Sequence, residues 1–431
     1  MFTYQTSLLY NYQAILEASG FHRKYYALFS ALDLSGIPDR TYDGPGRKPY
    51  SIHAMIRACI VKHLEEVKSV PKLITFLDAH PMLTEMCGFS MASIPDESQF
   101  YRFLDKMQNS SLENLHHKTN KELIRLGIIS LDQFAIDSKP VMAATKHNNP
   151  KNPHRSKDKN KKIRRNSQAT LGYYSYVERA DGSKKIECFW GYRTHVIVSK
   201  EGIPLVSATL PNNQKDFYVA KRLIRKLKRI YKFKKGAIFI ADSAYDVRSV
   251  YNLIAKEMKC KAYIPLNPRN TQEPKTFGPG GAPLCDGDME MYYSGTWNEG
   301  PRQRVKYRCP LKCSKKIAAQ YPDGCPVNKE CFSQGKAYGC TSYLDVTDEP
   351  RKQVPRKTEG FKKTYKERIV VEQYFSRLGD REVDQTTHYK LRRVKNQMSI
   401  AHLSASLIAL AAVNLGCKEK IRCYRTFALA A

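Results

Sequence analysis

The chain has 431 residues, 42% of them hydrophobic, which is enough for two or three domains with packed cores. Seventy-two Lys and Arg against 41 Asp and Glu leave a formal net charge of +31, an excess that points to a polyanionic partner, nucleic acid first. A membrane surface would need a basic amphipathic helix or a lipid-attachment motif, and the sequence has neither.

The opening stretch MFTYQTSLLYNYQAILEASGF lacks a basic segment followed by an apolar one, so no signal peptide is expected. A cytoplasmic, nucleoid-associated location follows, with the 12 cysteines as thiols or metal ligands rather than disulfides. Residues 1–125 form a predicted helical N-terminal domain for DNA binding or dimerisation. Ile52, Met55, Ile56, Cys59, Ile60 and His63 recur at three- and four-residue spacing, with Ser51 as N-cap. Pro71 starts another helix, and Pro95-Asp96 is a turn ahead of a short amphipathic one.

Residues 126–267 read as the first part of a mixed-sheet core. LDQFAID is a strand that stops at Asp137. A loop expected to be mobile and solvated follows, with nine Lys or Arg and one acid from Lys146 to Arg165. Lys157, Lys159, Lys161, Lys162, Arg164 and Arg165 are its candidate phosphate ligands. Strands resume at LGYYSYVER, CFWGYRTHVIVS and IPLVSATL, then a basic helix Gln214–Tyr231, the apolar strand AIFIAD ending in Asp242, and a helix Val247–Met258. Several strands, then helix, strand and helix, describe an α/β fold with helices covering a mixed sheet.

Residues 268–357 lose that pattern and hold six cysteines, so they form a Cys-rich insertion. Cys309 and Cys313 have structural-zinc spacing, and Cys325, Cys331 and Cys340 complete the candidate ligands. Reduced thiols in a glycine-rich insertion are the plainer alternative. Residues 358–431 complete the core with C-terminal helices. The apolar run Ala401–Cys417 is interrupted by His402, Ser404, Ser406 and Asn414 and is shorter than the roughly 20 residues a membrane span needs, so it reads as a buried helix. Trp190 is expected in the core, whereas Trp297 is undecided between packing and stacking on a base.

The acids carry the chemistry. Asp137 and Asp242 end apolar strands, and in YKERIVVEQYFSRLG the residues Tyr365, Arg368 and Glu372 fall on one helical stripe. These pieces resemble the insertion-sequence DDE transposases, whose third acid lies in a Tyr-x2-Arg-x3-Glu-x6-Lys pattern. Also similar to that family are FWGYRTHVIVS, with Tyr192, Arg193 and His195, PNNQKDF, with Asn213 and Asp216, and PDESQFYRF. The resemblance runs from about residue 40 to 416 and implies a ribonuclease H-like mixed sheet, preceded by the helical domain and interrupted by the Cys-rich insertion.

It implies that Asp137, Asp242 and Glu372 hold Mg²⁺ or Mn²⁺ for cleavage at transposon ends and strand transfer. Tyr365, Arg368, His195 and Arg193 are then the supporting residues. The implied partners are double-stranded DNA, both terminal inverted repeats and target, and a second copy of the chain, with no membrane. The pattern's Lys position is Gly379, and Arg377 or Arg381 is expected to supply the missing cation, Arg381 as a DNA contact. A domesticated or decayed transposase that binds DNA without cutting it is the alternative.

Overall fold

The computed structural model describes residues 12–40, 44–46, 48–91, 93–149, 151–176, 185–267, 276–300, 302–327, 339–346, 350–356, 358–379 and 383–425. Two compact units emerge, one of Met1–Ile264 with Arg356–Ala431, the other of Pro265–Pro355.

Seven helices open the chain: α1 (Tyr12–Ala18), α2 (Gly20–Ala31), α3 (Ile52–Leu64), α4 (Val70–Asp78), α5 (Pro81–Cys87), α6 (Glu97–Lys106) and α7 (Asn109–Arg125). Their starts follow local chemistry. Ser51 accepts from the Ala54 amide at 3.2 Å, Ser69 caps the Pro71-containing α4, and Asp96 accepts from the Gln99 amide at 3.1 Å.

The sheet then forms from β1 (Gln133–Ala143), β2 (Thr170–Tyr176), β3 (Lys185–Ser199) and β4 (Pro204–Pro211), followed by α8 (Asp216–Tyr231) and β5 (Ile238–Ala241). Next come α9 (Arg248–Tyr251), which continues as a π-helical stretch Asn252–Glu257, and β6 (Lys261–Tyr263). β3 pairs antiparallel with β1 along one edge and with β2 and β4, while β1 pairs parallel with β5 and β5 with β6.

The Pro265–Pro355 unit holds a three-stranded antiparallel sheet, β7 (Tyr292–Glu299), β8 (Arg302–Arg308) and β9 (Thr341–Asp345). It also contains α10 (Pro310–Cys313), α11 (Lys315–Ala318) and α12 (Pro350–Gln353). The chain then returns through α13 (Glu359–Lys366), α14 (Ile369–Leu378), the short β10 (Gln385–Thr386) beside the end of β1, and α15 (Leu391–Asn414).

α15 organises the first unit. By length and composition it could cross a membrane, yet 89% of its most apolar window is buried. It packs on α2, α3, α6, α7 and β4, so the N-terminal helices and the sheet share one hydrophobic core. Each fully buried Leu or Ile there contributes roughly 1.5–3 kcal/mol. Its interrupting polar residues are met by partners. His402 Nδ1 lies 2.6 Å from the Tyr374 hydroxyl, Ser404 donates to Ile400 O at 2.8 Å, and Ser406 sits 3.0 Å from His116 Nε2.

The polar seam continues into α7. His116 Nε2 lies 2.9 Å from Pro204 O, Asn120 donates to the same carbonyl at 2.9 Å, and His117 Nδ1 is 2.9 Å from the Tyr231 hydroxyl. Burial holds these rings neutral, with His116 pushed down to about 3, His117 to about 2 and His402 well below the ordinary histidine value. An unfolded chain protonates them near pH 6.5. Their contribution is therefore complete above pH 6.5 and is lost as pH falls below it, at about 1.4 kcal/mol per pH unit for each histidine. Urea denaturation should show stability dropping from pH 7 to pH 5, and His117→Gln should remove one histidine's share of that slope. A slope unchanged by that substitution would sink the account.

Candidate functional site

The site begins with register. β1 and β5 run parallel with Ile136 opposite Ala241, so the next residue on each, Asp137 and Asp242, stand side by side where the pairing ends. Neighbouring strands are about 4.8 Å apart, which brings the two carboxyls close. Asp242 also caps the turn after β5, accepting from the Ala244 amide at 2.9 Å. Asp137 is pushed up to about 6, first by burial and then by the charge of Asp242. Asp242 is raised by burial as well, with Arg368 and Arg193 opposing the rise.

Arg368 meets this negative charge from the start of α14. Its Nη1 donates to Asp137 Oδ2 at 3.1 Å, and its Nη2 donates to Glu372 Oε1 one turn further on. Glu372 is half-exposed on the flank of α14, whose Val371, Tyr374, Phe375 and Leu378 are buried. Tyr365 stacks on Phe361 and lies beside Arg368. The expected stripe of Tyr365, Arg368 and Glu372 is thus brought to Asp137, although helix breaks between Lys366 and Ile369.

Among the described residues, no three His, Cys, Asp or Glu side chains form a group able to hold a metal ion. Arg368 stands between Asp137 and Glu372 instead. The donors nevertheless suit a hard divalent cation. Two carboxyls raised by burial and, at Asp137, by mutual repulsion are what such an ion relieves, and carboxylate oxygens are its preferred ligands.

Residues directly opposed across a ladder share a face of the sheet. Asp137 opposes Val196, so it faces the core under α14 and α15. Ser138 opposes His195, and Pro140 opposes Arg193, which sends those side chains to the other face, toward α8. There Arg193 lies 3.5 Å from Asp216 and donates to the Ser138 hydroxyl at 3.3 Å. His195 is buried and neutral, pushed down to about 3, with Asp216 3.9 Å away. The predicted supporting residues therefore split: Tyr365 and Arg368 share the face of Asp137, while His195 and Arg193 reach the site from behind. Asp216, at the first turn of α8, joins that second group and is itself raised by burial.

Lys139 escaped the sequence reading. It follows Asp137 by two positions on the same face, donates to Phe375 O at 3.1 Å and pairs with Asp384 at 2.7 Å. A Cβ at Gly379 would come within 2.3 Å of its Nζ. β1 thus places a cation, the Lys139 ammonium, beside Gly379. Arg377 is turned toward Gly202 O at 3.4 Å, and Arg381 lies outside the described residues. Gly379 itself is helical, with φ −68° and ψ −37°, rather than a left-handed terminator.

Lys157, Lys159, Lys161, Lys162, Arg164 and Arg165 are all exposed. Their loop, expected to be mobile, is pinned by Asn148, which accepts from the Trp190 amide at 2.8 Å, and by buried Ile163. Trp190 is in the core and donates to Ser156 O at 2.9 Å, while Trp297 is partly exposed, edge-on to Tyr343. In the other unit Cys285, Cys325 and Cys340 pack around buried Cys309, Met289 and Leu311. Cys313 is outside that cluster, and Cys331 lies outside the described residues.

A family model described as "Transposase DDE domain" matches residues 130–407, more than half of the chain. Another, "Transposase domain (DUF772)", matches residues 8–106. No curated protein matches the sequence. A solved piggyBac transposase synaptic complex with hairpin DNA is similar at 8% identity and a TM-score of 0.39, over 97% of this chain and 78% of that one. That likeness is too low to assign a fold.

The tight fit at Gly379 gives a test. Gly379→Lys should cost about 1–3 kcal/mol, because the new side chain must displace the Lys139 ammonium. Combined with Lys139→Ala it should cost less than the two single changes added together, as read from a denaturation double-mutant cycle. Additive costs would show that the two positions do not share one cation site.

Proposed function

The chain belongs to the DDE transposase family, and on that premise we propose that it cuts DNA at the ends of its element and joins them to target DNA, using Asp137, Asp242 and Glu372. The observation that carries this reading is the β1–β5 register, which sets Asp137 beside Asp242 where the pairing of the two strands ends. The core is proposed to be ribonuclease H-like. A central β1 with antiparallel β3 on one side, parallel β5 on the other, and an Asp at both pairing ends supports that assignment.

Asp137, Asp242 and Glu372 are the side chains proposed to hold Mg²⁺ or Mn²⁺. Such ions, when bound, activate the attacking oxygen and stabilise the leaving one in an in-line displacement at phosphorus. The chain's own cations then have a defined task. Arg368 and Lys139 stand on the face of Asp137, where they can hold the charge of the scissile phosphate. Arg193 and His195 support the strand ends from behind. The exposed loop cations Lys157 to Arg165, with Arg381, are proposed to grip the flanking duplex. A dimer that brings two ends together, acting in the cytoplasm at the nucleoid, completes the proposal. The alternative, a decayed transposase that binds DNA without cutting it, is separated from this reading by a cleavage assay.

Asp137→Asn, Asp242→Asn and Glu372→Gln should each abolish Mg²⁺-dependent cleavage of a duplex carrying the element's terminal repeat while binding to it stays within a few-fold. Wild-type cutting by any of the three overturns the assignment.

No structural zinc is proposed for Pro265–Pro355: Cys285, Cys309, Cys325 and Cys340 share one small hydrophobic core, but no three of the described cysteines form a group able to hold a metal ion.

A further inference from the structure

A cleft of about 570 Å³ opens between α7, β4, α8 and α15, apart from the acidic residues. Arg222, Arg225, Lys226, Arg229 and Lys395 line it, against one carboxylate, Glu113. Lys226 is paired with Glu113 at 2.9 Å, and Arg225 lies 3.3 Å from Glu257. Arg222, Arg229 and Lys395 have no carboxylate partner among the described residues, and both arginines are exposed. This arrangement is costly without an anion. Along α8, Arg222, Lys226 and Arg229 recur at four- and three-residue spacing, so like charges crowd one helical face, which is destabilising on its own.

The floor of the cleft is the edge strand. β4 pairs with β3 on one side, and Ser207–Leu210 line the cleft. Edge strands present main-chain N–H groups that can join the cations in holding anions. A second hollow, lined by Arg392 and Gln168, shares Asn109 and Lys395 with the first, so the cationic lining extends along the starts of α7 and α15. A lining of this length is matched to a chain of phosphates rather than to a single one.

The cleft also keeps step with the proposed active edge. Asp137 opposes Val196, and Val196 opposes Ser207, so the cleft is level with Asp137 two strand spacings away, about 10 Å. From Asp216 to Arg229 α8 advances about 20 Å, carrying the cations outward from the site.

From this placement we propose that the cleft is a phosphate-backbone track, gripping the sugar-phosphate backbone of duplex DNA beside the position of cleavage. The proposal rests on the transposase reading above, since it needs a DNA substrate at the acidic edge.

The test uses the full chain and a 30-base-pair duplex of arbitrary sequence, with binding followed across a salt series. The triple variant Arg222→Ala, Arg229→Ala and Lys395→Ala should flatten the slope of log affinity against log salt by about 2 to 3, at about 0.9 per lost phosphate contact. A control triple, Lys234→Ala, Lys235→Ala and Lys261→Ala, removes the same charge from exposed positions at the strand ends away from Asp242 and should leave the slope unchanged. Matching circular dichroism and denaturation midpoints show that both variants fold. A cleft variant with the parent's slope, or equal flattening by both triples, overturns the track. Inorganic phosphate that protects Arg222 and Arg229 from guanidine-modifying reagents as well as the duplex does would show an anion pocket and also overturn it. If the parent protein binds no duplex even at low salt, the transposase reading itself fails, an outcome distinct from either.

Discussion

Two carboxyls placed side by side where two adjacent parallel strands cease to pair are the constraint around which the first unit is arranged. Their charge has to be met, because burial and mutual repulsion push Asp137 up to about 6. Arg368 meets it, and it can do so because α14 is held over that face of the sheet by Val370, Val371, Tyr374 and Phe375 in the shared core. α14 is itself held down by α15, through the Tyr374–His402 contact of 2.6 Å. Packing therefore reaches the acids in two steps, from the buried central helix to the helix that carries Arg368 and Glu372. A pair of buried carboxyls of which Asp137 is met by an arginine is also one whose oxygens suit another cation.

Much of this was legible because it is local. A run of apolar residues ending in an acid marked the end of β5 and, at Asp137, the place where β1 parts from β5, although β1 itself runs on to Ala143; Arg368 and Glu372, one turn apart, form a pair. Ser51 and Asp96 cap helices because the side-chain chemistry acts within one turn. What stayed hidden depends on pairing between distant strands. Arg193 and His195 look equivalent to Asp137 in the sequence, but the β1–β3 register places them behind the sheet. One residue of shift would reverse that, and periodicity within a strand does not reveal the register against another. Asp216 was hidden for the same reason, since only the packing of α8 brings it to Arg193.

α15 shows how composition alone misleads. Its length and apolarity match a membrane span, and a hydropathy window does not distinguish lipid from a protein core. His402, Ser404 and Ser406 decide the matter physically. Each finds a hydrogen-bond partner inside the unit, on Tyr374, on the helix's own carbonyl at Ile400, and on His116. Buried polar groups cost little when satisfied and several kilocalories when not. These contacts tie α7, α14 and α15 in a fixed relation that apolar packing alone would leave freer to slide.

Lys139 and Gly379 carry the same logic into the site. A cation near the third acid can come from any element that passes the spot, because a phosphate responds to where charge is and not to which strand or helix supplied it. At Gly379 the helix offers no side chain, and the space beside it holds the Lys139 ammonium, bound by Phe375 O and Asp384. The glycine and the lysine are then one feature. A side chain at 379 would crowd the ammonium and force it to shift, so the two positions constrain each other. A cation on β1 is tied to Asp137 by a two-residue strand step, which keeps both on one face of the sheet. The backbone position of Lys139 relative to Asp137 is thereby set by the pleat of β1, and the Phe375 carbonyl of α14 fixes where its ammonium ends.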